Sequence, residues 1–282
     1  MSNKLSPIEP NLANHTRNLL KKYQLRPNKR LGQNFLIDDR VLNDLLQAAE
    51  LTSQDTVLEV GSGLGTLTRA LARRVRKVIS LEKDRRLNDI LASELNEFDN
   101  VSILNQDIRT FLSQKDILFD KVVANLPFYL TSPLITGLMK LSPPPSLMVL
   151  MVQKEVAERI CAQPPKANRM AVLCQIQARC RLVRQVPARS FWPAPEVDAA
   201  ILKMNTSGIS PDPLLEKLVN AGFRSPRKTL ANNLSSFPGF NQEILAQCNL
   251  NPKVRAEALT LQDWKHLKNC FLGQKNVIIR PI

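Results

Sequence analysis

The chain has 282 residues, of which 44% are hydrophobic and 23% charged, a composition that excludes disordered and fibrous proteins. No run of about 18 apolar residues occurs, so we expect no membrane span. Lys and Arg number 39 against 25 Asp and Glu, and the net charge of +14 indicates a polyanionic partner, most often nucleic acid.

The N-terminus and the cysteines indicate a cytoplasmic protein. The first ten residues contain no apolar stretch and include Glu9, so we expect no secretory signal. The five cysteines and two histidines show no spacing typical of a zinc module or a disulfide framework. We therefore expect reduced thiols and no metal site.

Two stretches of the chain are basic and contain no acidic residue. The first, over residues 10–37, contains Arg17, Lys21, Lys22, Arg26, Lys29 and Arg30. The second, over residues 159–195, contains Arg159, Lys166, Arg169, Arg179, Arg181, Arg184 and Arg189. A solvated basic face is one interpretation, but two separate stretches favour a binding surface for a nucleic-acid backbone.

The predicted elements begin with a weak helix over residues 11–26, a loop over 27–37 and a helix over 39–50. Strands and helices then alternate. The expected strands are 56–60, 77–81, 101–104, 121–124 and 147–152, and the expected helices are 64–75, 86–96, 110–114, 132–140 and one from 154. This alternation predicts a parallel sheet with helices on both faces. Strand-like runs at 178–186 and 197–204 follow.

A polar segment with Gly and Pro at residues 205–213 predicts a domain boundary. We expect an α/β domain over 1–206, which carries the N-terminal basic segment, and a small helical domain over 207–282. Helical periodicity within the second domain covers 213–223, 226–235, 241–249 and 260–271.

A glycine-rich turn follows the first strand of the alternating region. Gly61, Gly63 and Gly65 stand between the expected strand and helix, where glycines let the backbone turn sharply and approach a ligand. The spacing differs from the dinucleotide fingerprint because position 66 is Thr. A tight turn with no ligand is the alternative.

Acidic residues end the next two strands. Glu82 lies about twenty residues past the glycines, where a carboxylate can bind a ribose diol. Asp107 ends the third strand, where it could meet an adenine amino group. Each acid alone could be a helix N-cap or a surface charge. In order along the edge of a parallel sheet, they predict an adenosine site.

The fourth strand ends in Asn125-Leu126-Pro127-Phe128. This motif resembles the catalytic motif of S-adenosylmethionine-dependent adenine N6-methyltransferases. The Asn125 side-chain carbonyl and the Leu126 backbone carbonyl can accept the two N6 hydrogens of adenine. Pro127 stiffens the turn, and Phe128 can stack on the target base.

Further stretches narrow the resemblance, which covers roughly residues 18–270. Residues 29–36, 152–159, 191–198 and 223–234 are each similar to segments of the ribosomal RNA adenine dimethyltransferase family. Its housekeeping branch converts two adjacent adenosines near the 3′ end of small-subunit rRNA to N6,N6-dimethyladenosine. The resemblance implies a Rossmann-like class I methyltransferase fold, S-adenosylmethionine as methyl donor, no metal, and rRNA in the assembling small subunit as partner.

Site residues follow from the resemblance by position. It implies that Asn34 and Leu36 contact the cofactor from the N-terminal segment, together with the glycine turn, Glu82 and Asp107. It places Asn125 where cofactor and target base meet. Phe128 stands where this branch more often has Tyr, so stacking is kept but there is no hydroxyl to bind a partner.

Several alternatives share parts of this pattern. A resistance-type large-subunit rRNA methyltransferase has the same catalytic motif, whereas residues 223–234 favour the housekeeping branch. A ribosome-assembly factor with secondary or lost catalysis would keep the RNA-binding charge. A DNA adenine methyltransferase usually has a separate target-recognition region, and a small-molecule methyltransferase would not explain the charge. We expect a monomer, since no oligomerisation signal is visible.

Overall fold

A computed structural model describes residues 11–114, 118–208 and 212–273. The chain forms two compact units. Among the described residues, the first comprises those up to 157 together with 181–208, and the second comprises 158–180 together with 212–273. The expected boundary after residue 206 stays a prediction. Residues 209–211 of the polar segment and the first ten residues lie outside the described part of the chain.

Nine strands occur in the described residues. They are β1 (Phe35–Leu36), β2 (Thr56–Val60), β3 (Lys77–Leu81), β4 (Val101–Leu104), β5 (Lys121–Asn125), β6 (Leu147–Gln153), β7 (Ala178–Val186), β8 (Phe191–Trp192) and β9 (Ala199–Thr206). Seven of them form one sheet in the order β4-β3-β2-β5-β6-β9-β7, and β1 pairs with β8 in a separate ribbon.

The large sheet is mixed rather than wholly parallel. Strands β4, β3, β2, β5 and β6 run parallel, whereas β9 is antiparallel to β6 and pairs with it along its whole length. Strand order reverses between β2 and β5, and a reversal of this kind opens a crevice at the carboxyl ends of the strands. The fold therefore places this crevice beside Gly61 and Asn125.

Twelve α-helices occur in the described residues. They are α1 (Leu12–Lys22), α2 (Asp39–Ala48), α3 (Thr66–Ala72), α4 (Arg85–Glu94), α5 (Ile108–Leu112), α6 (Thr131–Met139), α7 (Lys154–Cys161), α8 (Arg169–Gln177), α9 (Pro213–Gly222), α10 (Leu230–Leu234), α11 (Gln242–Gln247) and α12 (Leu261–Gly273). None of these helices is long and apolar enough to cross a membrane.

The sheet is buried because its strands are almost continuously apolar. Every residue of β2 and nearly every residue of β6 is buried, as expected for strands covered on both faces. Helix α2 adds an apolar stripe to this core through Val41, Leu42 and Leu45. The first unit therefore holds the ends of β2, β3 and β5 in fixed positions.

The second unit has its own helical core. Trp264 and Phe271 of α12 are fully buried with Leu218 of α9, and α8 contributes Val172. A Cβ added at Gly222 would lie 2.5 Å from the Trp264 ring, so α9 and α12 approach each other where only glycine fits.

Most predicted elements are present, with differences at short or irregular segments. Helix α8 lies within the second basic stretch, where the sequence predicts no helix. The strands β1 and β8 are two residues each, and the first lies in the segment expected to be a loop. The helix expected over 226–235 is shorter, spanning Leu230–Leu234.

Candidate active site

A cavity opens in the first unit at the carboxyl ends of β2, β3 and β5. Ten of the residues singled out from the sequence line it: Asn34, Leu36, Gly61, Gly63, Glu82, Asp107, Asn125, Leu126, Pro127 and Phe128. The lining also includes the neighbouring residues Thr66 and Leu64, whereas Gly65 is absent from it. The fold thus brings these ten residues together around one cavity, whereas Gly65 does not line it.

The glycine turn holds its shape by hydrogen bonds to β3. Gly61 has a φ of 75°, and its N–H donates to the Leu81 carbonyl over 2.8 Å. A Cβ at Gly61 would lie 3.0 Å from Pro127 Cδ, so a side chain there would press on the neighbouring turn. The backbone of the two loops can approach this closely only because position 61 is glycine.

Glu82, which directly follows β3, forms a hydrogen bond with the same turn. Its Oε2 accepts a hydrogen bond from the Gly63 N–H over 3.0 Å, and its Oε1 accepts one from the Asp84 N–H over 2.8 Å. The pKa of Glu82 lies above its ordinary value because burial raises it by more than the hydrogen bonds from these backbone N–H groups lower it. A carboxylate has about four acceptor positions, so Glu82 retains acceptor capacity toward the cavity.

Asp107 is engaged more fully than Glu82. It is the N-cap of α5, and its Oδ1 accepts from the backbone N–H and the Nε of Arg109. Its Oδ2 accepts from Arg109 Nη2 over 3.0 Å and from Lys83 Nζ over 3.1 Å. The Arg109 guanidinium holds the pKa of Asp107 well below its usual range. An adenine amino group would have to displace Arg109 or Lys83, whose side chains are exposed.

The turn after β5 meets the N-terminal segment. Asn125 Nδ2 donates to the Asn34 carbonyl over 3.3 Å, and the Leu126 N–H donates to the Met151 carbonyl over 3.2 Å. The amide of Asn125 therefore uses its nitrogen within the protein. Leu126 is buried, and Phe128 is half-buried against the core of the sheet.

Helix α1 anchors the N-terminal segment that borders the cavity. Leu19 and Leu20 pack in one apolar cluster with Ile90 of α4. Glu94 accepts hydrogen bonds from the Tyr23 hydroxyl and from Lys22 Nζ, each over 2.6 Å. After a 3-10 turn at residues 29–31, β1 pairs with β8 and places Leu36 opposite Phe191. The segment is thus fixed at both ends.

Glu59 is a cavity residue that the sequence analysis did not single out. It is fully buried in β2, and its Oε2 has no hydrogen-bond partner among the described residues. Burial raises the pKa of Glu59 to about 8. A buried polar atom without a partner beside a cavity indicates a missing hydrogen-bond partner. The sequence signal was available, because Glu59 is a charged residue in a short apolar run, two positions before Gly61.

The chain matches one protein family over most of its length. The family model described as "Ribosomal RNA adenine dimethylase" matches residues 24–271. Among curated relatives, the ribosomal RNA small subunit methyltransferase A of Clostridium botulinum is 35% identical over 273 residues, which cover 91% of this chain and 98% of the relative.

Two solved structures share the fold at 25% sequence identity. A dimethyladenosine transferase from Plasmodium falciparum superposes with a TM-score of 0.74 and covers 83% of this chain and 95% of its own. The 23S rRNA methyltransferase ErmE superposes with a TM-score of 0.70, covering 84% of this chain and 99% of its own. The predicted class I methyltransferase fold is confirmed.

Proposed function

Since the chain belongs to the ribosomal RNA adenine dimethylase family, we propose that it dimethylates the N6 amino groups of two adjacent adenosines near the 3′ end of small-subunit rRNA. The methyl donor is S-adenosylmethionine. The observation that carries this proposal is the meeting of three segments at one cavity: the glycine turn, the N-terminal segment at Asn34, and the Asn125–Phe128 turn.

The cavity residues fit the proposed cofactor. Glu82 offers acceptor positions for a ribose diol, and the unpartnered Oε2 of Glu59 offers a further hydrogen-bonding position. Gly61 and Gly63 let the turn approach its neighbours closely, because an added Cβ would lie 3.0 Å from Pro127 and 3.3 Å from Phe35 respectively. When bound, S-adenosylmethionine supplies a methyl group already activated by its sulfonium. In this proposal Asn34 and Leu36 border it, Asp107 lies at its adenine end, and Gly65 acts only through the shape of the turn.

The Asn125–Phe128 turn binds and orients the target base. Asn125 Oδ1 and the Leu126 carbonyl accept the two N6 hydrogens, so that the nitrogen lone pair is left for the methyl donor. The hydrogen bond from Asn125 Nδ2 to Asn34 fixes the acceptor end of the amide. Pro127 restricts the turn, and stacking of Phe128 on the base contributes about 1–3 kcal/mol. Positioning of this kind is the main source of rate enhancement that we assign to the chain.

The RNA is held outside the cavity by positive charge. Arg26, Lys29 and Arg30 are exposed and immediately precede the cavity-lining residues of the N-terminal segment. Contacts to phosphates position an RNA, whereas a base must leave its stack to enter an active site. We therefore propose a target in a loop or single strand of rRNA in the assembling small subunit, bound by a cytoplasmic monomer.

The test is transfer of labelled methyl groups to undermethylated small ribosomal subunits, with mapping of the labelled nucleotides. Large subunits and DNA are the substrate controls, and Asn125→Ala is the protein control. We expect dimethyladenosine at two adjacent positions near the 3′ end of the small-subunit RNA. Label on large-subunit RNA alone would support the resistance-type activity instead. Tight binding to small subunits without label would support an assembly factor that lacks catalysis.

A further inference from the structure

Two cysteines and a histidine converge in the second unit, away from the methyltransferase cavity in sequence. Cys248 ends α11, and His266 and Cys270 lie on α12. Their ligand atoms all lie within 4.8 Å of one another, and they form the one such group of three found in the described residues. The Sγ atoms of Cys248 and Cys270 are 2.7 Å apart.

The arrangement on α12 explains why these side chains meet. Residues four apart on a helix lie on the same face, so His266 and Cys270 point to the same side. Cys248 is buried, Cys270 is partly buried, and His266 is exposed, so the group runs from the core to the surface. Thiolate sulfur and imidazole nitrogen are the donors that zinc prefers. Cys248 joins the pair on α12 only in the folded chain, which is why the sequence shows no spacing typical of a zinc module.

We propose that Cys248, His266 and Cys270 bind a zinc-class divalent cation, with a water molecule as the fourth ligand. Water fits this position because Asp263, the acid that acts electrostatically on Cys248, is already engaged. Asp263 Oδ2 accepts from the backbone N–H and the hydroxyl of Thr260, each over 2.8 Å, and the Asp263 N–H donates back to the Thr260 hydroxyl. This reciprocal cap holds the start of α12.

Metal binding requires a small movement of the sulfur atoms. Tetrahedral zinc with Zn–S bonds of about 2.3 Å places two sulfurs about 3.8 Å apart, farther than the present 2.7 Å. Cys270 is only partly buried, so rotation of its side chain can open this distance. The bound ion would then join α11 to α12 near the end of the described chain.

A disulfide between the same sulfurs is the competing outcome. It would require an oxidant, such as oxidised glutathione, and would leave His266 without a role. The convergence of the imidazole on the two sulfurs favours the metal, because a disulfide needs no third ligand. Zinc binding by the reduced chain distinguishes the two outcomes.

The test is zinc binding by the full chain under reducing conditions. Protein freed of metal with a chelator is titrated with Zn²⁺ against a chromogenic zinc indicator, and bound zinc is counted by elemental mass spectrometry. We expect about one zinc per chain. With Co²⁺ as probe, we expect thiolate-to-cobalt charge-transfer absorption and the visible bands of a tetrahedral ion.

Variants locate the ion. Cys270→Ser should abolish tight binding, and His266→Ala should weaken it by more than about tenfold, the lower end of the loss seen when only a supporting group of a ligand is removed. Cys161→Ser and Cys180→Ser are matched controls in the same unit and should retain full binding. His266 is exposed, so His266→Ala tests the site without opening the core, whereas Cys248→Ser changes a buried position.

The proposal is overturned if the reduced chain binds no zinc tightly, or if His266→Ala and Cys270→Ser bind it as well as the unaltered chain does. It is also overturned if the two cysteines are recovered as a disulfide and the chain binds no zinc after reduction. None of these readouts depends on methyl transfer, so failure of the proposed function would leave the result unchanged.

Discussion

Among the site residues, Asn125 is the one whose substitution we expect to slow methyl transfer most. Asn125→Ala removes the acceptor proposed for one N6 hydrogen and the hydrogen bond to Asn34, while the glycine turn and Glu82 remain in place. We expect methyl transfer to slow by about a hundredfold or more, as for a misplaced reactant. Cofactor affinity, measured by calorimetry, should stay near that of the unaltered chain. Lost cofactor affinity with unchanged turnover would contradict the assigned role.

Glu82 should act on binding rather than on turnover. Glu82→Ala removes the proposed ribose acceptor and leaves the Gly63 and Asp84 N–H groups without their carboxylate. Hydrogen bonds to a charged group contribute about 1.5–3 kcal/mol, so we expect cofactor affinity to fall by about tenfold or more. Asp89→Ala on α4 is a control that leaves the cavity lining unchanged. If calorimetry gives the two variants equal affinities for the cofactor, Glu82 does not bind the ribose.

Glu59 should make stability depend on pH. Burial raises its pKa to about 8 in the folded chain, from an ordinary value of 4.5. Between these values the unfolded chain gives up a proton that the folded chain keeps, so the free energy of unfolding falls as the pH rises. Above about pH 8 the decrease in the free energy of unfolding is complete and amounts to on the order of 5 kcal/mol for a shift of this size. Below about pH 4.5 it is absent.

The variant Glu59→Gln isolates this contribution, because the amide does not ionise. Relative to the unaltered chain, its free energy of unfolding from denaturant titrations should increase steadily between about pH 5 and pH 8. Glu243→Gln, at an exposed position of α11, is the matched control and should follow the unaltered chain. A constant difference between Glu59→Gln and the unaltered chain would show that Glu59 is not held protonated.

Among the elements, the start of α3 depends on one glycine. Gly65 has a φ of 80°, and a Cβ there would lie 2.8 Å from Leu91 Cδ2. Gly65→Ala combines left-handed backbone strain with overpacking, and we expect it to destabilise the chain by about 2–4 kcal/mol.

Gly208 provides a matched control for that substitution. It also has a positive φ, 68°, but nothing lies within 4 Å of an added Cβ. Gly208→Ala should therefore cost only the backbone strain, about 1–2 kcal/mol. Urea titrations of both variants measure the difference. Equal losses would mean that α4 moves aside for the Gly65 substitution.

The sequence predicts some elements better than others for physical reasons. Strands β2 and β3 have the predicted bounds, because short apolar runs between turn residues leave little choice. The sequence does not predict helix α8 because its apolar residues do not form one stripe, although Val172, Leu173 and Ile176 pack in the core of the second unit. The antiparallel direction of β9 was also missed, since alternation along a chain does not specify strand direction.

The sequence predicts which residues meet at the site, because their meeting depends on strand order. Parallel strands end at the same edge, so residues that follow β2, β3 and β5 had to lie together. The full engagement of Asp107 with Arg109 and Lys83 depends on side-chain conformations that no spacing encodes. The family prediction is confirmed, whereas the roles of individual site residues stay predictions.

At the scale of the whole molecule, charge should govern RNA affinity. The logarithm of affinity should fall linearly with the logarithm of salt concentration, as counterions are released from phosphates. The double substitution Lys29→Ala and Arg30→Ala should reduce that slope by about one for each phosphate that the side chains no longer neutralise.

A charge-matched control separates location from net charge. Lys77→Ala with Lys140→Ala removes the same charge from exposed positions outside the two basic stretches. Filter binding to small-subunit rRNA across a salt series measures both slopes. If the two double variants change the slope equally, the N-terminal basic stretch does not bind RNA at a defined place.

The N-terminal segment carries the residues proposed to bind RNA and those proposed to border the cofactor on one continuous stretch of backbone. Residues 29 and 30 carry the charge proposed for RNA, and residues 31–36 border the cavity proposed for the cofactor. The segment is tied to α4 through Tyr23 and Lys22 and to the Asn125 turn through Asn34. Any change that RNA imposes on this backbone therefore changes the free energy of cofactor binding. By thermodynamic reciprocity, the cofactor must alter RNA affinity by the same factor.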